Sequence, residues 1–172
     1  MGDTSLDVLA LFWTSKLSRD TEALIPVVIA LRRAGWKVAE APVHNGISEI
    51  CRRRPRVVIM GGLPGARGNV RVAAFCKSQG IPVIVGLGEG APSRVTHEIA
   101  WGHCPPGEPL ETRRLVWNNK YLRELADVAP ELAKISVVTG YPGADRYVVA
   151  QHCDGKLYDP IQVPNCQITV GV

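Results

Sequence analysis

Three loops and one carboxylate carry the side chains of this chain best suited to chemistry. Ser15, Lys16, Ser18 and Arg19 cluster just ahead of a run with helical spacing. At a helix N-terminus unpaired backbone N–H groups and the dipole attract an anion, and these hydroxyls and cations would complete a phosphate cradle. Each charge-assisted hydrogen bond from Arg19 would contribute about 1.5–3 kcal/mol where water is excluded. Glu89 stands between Gly88 and Gly90. Glycine on both sides lets the backbone fold tightly and present a lone carboxylate, and a carboxylate with a raised pKa can act as a general base toward an attacking hydroxyl. Residues 61–69, GGLPGARGN, offer backbone amides with Arg67 as counter-charge, although they match neither a P-loop nor G-x-G-x-x-G. Each group also has a plainer use. Lys16 and Arg19 can pair with Asp20 or Glu22 on the surface, Glu89 can bond Arg94, and the glycines can serve a turn.

The elements that must position these loops follow from periodicity. Residues 7–13 (DVLALFW) are an apolar run of strand length, and residues 18–34 place Leu24, Val27, Val28 and Leu31 at helical spacing, with Gly35 as the stop and Pro26 predicting a kink or a later start. Further strands are predicted over residues 37–43, 56–60, 81–87 and 135–138, with helices over 46–53, 69–79 and 110–132 and a fifth strand or irregular segment over 95–101. Apolar strands alternating with helices predict a three-layer, Rossmann-like, doubly wound parallel sheet of the α/β class. In such a sheet ligands bind beyond the carboxyl ends of the strands at a switch point. With the first and fourth strands side by side, the loops holding Lys16 and Glu89 would share that crevice. Asp154-Gly155, flanked by VVAQHC and KLYDPI, predicts a C-terminal β-hairpin tail over 148–172 packed on the domain of residues 1–147.

Residues 135–147, ISVVTGYPGADRY, run a short apolar strand into a Thr-Gly-Tyr-Pro-Gly-Ala-Asp loop. This segment resembles the close of the first lobe of GT-B glycosyltransferases of bacterial surface carbohydrate biosynthesis. Residues 16–22 (KLSRDTE), Gly88-Glu89-Gly90 and Ala100-Trp101-Gly102 fall in the order of that family's other motifs. Gly143 and Gly88 stand where the family tends to have Arg and an acidic residue, and Arg19 sits one position off register. The resemblance implies the acceptor-side half of a transferase using a nucleotide-sugar donor, with Glu89 as catalytic base and Ser15, Lys16, Ser18, Arg19, Arg67, Gly88 and Gly90 binding substrate or phosphate. It also implies a second lobe or a homo-oligomer as partner, a sugar or lipid-linked acceptor, and little activity alone.

Composition bounds the rest. A chain of 172 residues with 46% hydrophobic content and a net charge of +4 reads as one ordered globular domain. No apolar run approaches the length of a transmembrane helix, and the N-terminus lacks the pattern of a secretory signal. Five scattered cysteines, an odd number, predict free thiols and a cytoplasmic location. Neither His103-Cys104 nor His152-Cys153-Asp154 has zinc-ligand spacing, so no metal and no cofactor is expected. The basic run Arg52-Arg53-Arg54 with Arg56 lacks interleaved aromatics, so it reads as a solvated helix end and not a nucleic-acid surface. The competing class is a non-enzymatic, flavodoxin-like nucleotide- or phosphate-binding or interaction module using the same crevice.

Overall fold

The computed structural model describes residues 6–13, 19–62, 67–86 and 109–140, with the backbone alone for residues 19–22. At its centre lies β1 (Val8–Phe12), all five of whose side chains are buried. Successive side chains of a strand point to opposite faces, so a run buried throughout is covered on both. On one face Val8, Ala10 and Phe12 cluster with Leu24 and Val28 of α1 (Arg19–Arg33). On the other, Leu9 and Leu11 cluster with Ile50 of α2 (Gly46–Arg53) and with Val72, Ala73 and Cys76 of α3 (Arg67–Ser78). Helix α1 runs through Pro26 and begins where the polar residues predict, not later. Gly35, at φ +88, turns the chain in the left-handed region where only glycine is unstrained.

Five more strands join β1: β2 (Val38–Pro42), β3 (Val57–Met60), β4 (Val83–Gly86), β5 (Arg113–Val116) and β6 (Ser136–Val138). They form one parallel sheet in the order β2-β1-β3-β4-β5-β6, so the chain has the predicted α/β, Rossmann-like architecture. Asp7 ties the amino ends of three strands together. Its Oδ2 accepts a hydrogen bond from Lys37 N at 2.9 Å, and its Oδ1 lies 3.5 Å from Arg56 Nη1.

The order corrects one expectation. β1 is flanked by β2 and β3, and β3 separates it from β4. The reversal comes after two strands: α2 carries the chain back across the face of β1 opposite α1, and β3 takes the edge of β1 left open. A second correction concerns residues 110–132, where the predicted helix is replaced by β5, α4 (Asn119–Val128) and α5 (Pro130–Lys134). Arg114 is buried, its Nε donating to Glu111 Oε1 at 2.8 Å and its Nη2 to the same oxygen. That pair lets a strand turn an arginine inward. Asn118 then starts α4 by accepting from Tyr121 N at 2.8 Å, and Pro130 opens α5.

Coverage of the sheet is uneven among the described residues. In β4, Val83 and Val85 are buried while Ile84 and Gly86 are half-buried. In β5, Arg114 and Val116 are buried while Arg113 is exposed and Leu115 half-buried. The register places the buried set on the α3 face, where Val116 also meets Tyr121 and Leu125 of α4. On the α1 face protection fades toward β6, where Val137 is 47% exposed. The hairpin predicted over 148–172 and the segment 95–101 lie outside the described residues.

Candidate functional site

The carboxyl ends of β1 and β3 define the crevice. These strands are neighbours in register, Leu11 beside Met60, yet they hand the chain on in opposite directions. β1 leads through α1 to β2 on one side, and β3 leads through α3 to β4 on the other. With α1 and α3 on opposite faces, the two exits diverge and leave the gap in which open α/β sheets bind ligands. The same placement holds for flavodoxin-type sheets of order 2-1-3-4-5, which this sheet extends by a sixth strand. Both helix N-termini bordering the gap begin with arginine, Arg19 in α1 and Arg67 in α3.

The first turn of α3 is the best-defined part. Arg67 is exposed, and the turn holds no acidic residue. Space is open at Gly68, where an added Cβ would meet nothing within 4 Å. Asn69 is only 4% exposed. Its Nδ2 donates to Gly62 O at 2.6 Å and to Gly61 O at 3.5 Å, folding the end of β3 back onto the helix start. Its Oδ1 is buried and has no hydrogen-bond partner among the described residues. A helix dipole, an exposed guanidinium and a first turn free of acidic residues suit an anion.

The predicted site residues are distributed as follows. Arg67 borders the gap and Arg19 starts the helix opposite it, whereas Ser15, Lys16, Ser18, Gly88, Glu89 and Gly90 lie outside the described residues. β1 and β3 are neighbours, whereas β4, the strand that precedes Glu89 in the sequence, lies two places from β1, roughly 10 Å away at ordinary strand spacing. The crevice is therefore that of β1 and β3, not of β1 and β4. Asn69 escaped the sequence reading. Its signal was a polar amide in the first turn of a helix, where asparagine side chains bond nearby backbone.

Electrostatics elsewhere are structural. Glu49 on α2 accepts from Arg52 Nη2 at 2.6 Å and Arg53 Nε at 2.5 Å, and these two hydrogen bonds hold its carboxyl below the usual range. Two arginines of the basic run thus share one carboxylate of their own helix. Cys76 lies buried in α3, and burial pushes its thiol up to about 11. Among the described residues no three His, Cys, Asp or Glu side chains gather as a metal site would require.

No protein-family model matches this chain, and no curated protein does. Among solved structures, a solution NMR structure of a de novo designed Rossmann 2x3 fold protein aligns over 91% of this chain and 98% of the design, at 11% identity and a TM-score of 0.40. The strand order itself defines the fold.

Proposed function

We propose that this chain is an α/β module that binds a phosphate-bearing small molecule across the carboxyl ends of β1 and β3. The observation that carries the reading is the first turn of α3, set at the switch point with Arg67 exposed, open space at Gly68 and no acidic residue in that turn. The free thiols expected from the sequence suit a cytoplasmic setting, and no described helix is long and apolar enough to cross a membrane. Calorimetric titration with methyl phosphate and with nucleoside diphosphates tests it. Saturable binding is expected, weakened about tenfold or more by Arg67→Glu, since one charge-assisted hydrogen bond contributes about 1.5–3 kcal/mol and the substitution adds repulsion. Absence of binding at millimolar concentration would overturn the reading.

A narrower reading keeps the glycosyltransferase resemblance: the module would be the acceptor-side lobe, with Glu89 as base and a second lobe supplied by a partner or another copy. It is favoured by the end of β6, where Thr139-Gly140 follows Val138 and Gly140 takes φ +80, turning the chain where the resembling motif begins its loop. Titration with sugar nucleotides and acceptor sugars, with and without co-purifying proteins, separates the two readings. Transfer detected only with a partner present supports the narrower one, and anion binding with no transfer in either case leaves the binding module.

A further inference from the structure

Helix α1 reads ALIPVVIAL from Ala23 to Leu31, with no polar side chain between Glu22 and Arg32. Its inner side packs Leu24 and Val28 on the sheet, yet Ile25 is 37% and Ile29 43% exposed, and Ala30 is exposed beside them. A surface helix ordinarily turns charge outward, as α4 does with Lys120, Arg123 and Asp127. Arg32 continues the stripe of Ile25 and Ile29; it donates to Val38 O at 3.0 Å and pairs with Glu40 at 3.0 Å, which sets the stripe on the side of the edge strand β2. We propose that this stripe joins two copies of the chain, their α1 helices packed antiparallel. The ends of the helix argue for that occupant. It starts Arg-Asp-Thr-Glu, where Asp20 and Glu22 outnumber Arg19, and finishes Arg32-Arg33. A two-fold axis crossing midway between Ile25 and Ile29 packs Ile25 of each copy on Ile29 of the other. It also lays the acidic start of one helix beside the basic finish of the other and opposes the two helix dipoles. A parallel pair would set Arg32-Arg33 against itself, and an anionic membrane would repel the acidic end.

One face of α1, roughly 22 Å by about 10 Å, is smaller than the ~800 Å² per partner of a standard interface, so the pair is expected to be weak. Sedimentation equilibrium of the full chain from about 1 μM to about 1 mM covers the range in which such a dimer dissociates. The mass is expected to rise with concentration from one chain to two. Ile29→Lys should weaken dimerisation about tenfold or more, since each copy loses a buried isoleucine, with the far-UV circular dichroism unchanged because the side chain is exposed in the single chain. Arg33→Glu should weaken it too, and adding Glu22→Arg should restore it. A chain that stays monomeric at every concentration would overturn the proposal, as would a dimer indifferent to Ile29→Lys. A dimer not restored by the charge exchange would overturn the antiparallel arrangement. Sedimentation of monomers with phosphatidylcholine and phosphatidylglycerol vesicles, lost in Ile29→Lys, would instead make the stripe a membrane surface and overturn the pairing. If Ile29→Lys does not fold, the charge exchange decides. None of these outcomes touches the anion site, which lies at the carboxyl ends of β1 and β3.

Discussion

Single residues in this protein do their work through what surrounds them. Cys76 is a case: its thiol is buried in α3, and loss of water around the thiolate pushes its pKa from the ordinary 9.0 up to about 11. The raised value favours the neutral thiol in the folded state, so this contribution is full below 9.0 and is lost as pH rises toward about 11. The thermal midpoint is expected to fall across that window, with a flatter alkaline decline in Cys76→Ala despite a lower midpoint at neutral pH. Native-state alkylation read by peptide mass spectrometry gives a second check: exposed Cys51 should react and Cys76 should not until the protein unfolds. Equal rates for the two would contradict the assignment. At this scale the sequence showed Arg19 at a helix start and Arg67 as the counter-charge of a glycine-rich loop, which the structure makes the first residue of α3. It did not show Asn69, because the importance of that amide depends on the end of β3 folding back to within 2.6 Å of it.

At the scale of elements, β1, β3 and β4 were legible because buried strands are written as unbroken apolar runs, VLALF, VVIM and VIVG. β5 was not. Its sequence, RRLV, carries two arginines, and the reason it can be a strand is a side-chain pair that local propensity does not encode. Arg114 and Glu111 are 2% and 3% exposed at their side chains, and Arg114 Nη1 still lacks a partner. Such a pair is expensive to break but not to replace. Glu111→Ala is therefore expected to cost about 3–5 kcal/mol in urea denaturation, by leaving a buried guanidinium uncompensated. The double variant Glu111→Leu with Arg114→Met should be markedly more stable than the single one. A single-variant loss below about 1 kcal/mol, typical of an exposed pair, would show that the strand does not depend on it.

For the whole molecule, the sequence yields the class of fold but not the order of its strands. Periodicity marks where strands and helices lie, whereas adjacency depends on which edge of β1 each returning strand finds. That choice moves the crevice from the loop of Glu89 to the loop of Gly61 and Gly62. It also explains the uneven layers: α1 protects β1 and β3 on its face, while Leu115 is half-buried and Val137 exposed toward the β6 edge. The proposed function requires that an anion lodge in the crevice at β1 and β3. Amide chemical-shift mapping during a titration with methyl phosphate tests this most directly. The largest shifts are predicted at Gly61, Gly62 and residues 67–70, together with the first turn of α1. Shifts gathered instead around Arg52, Arg54 and Arg56, at the opposite end of the sheet, would contradict it.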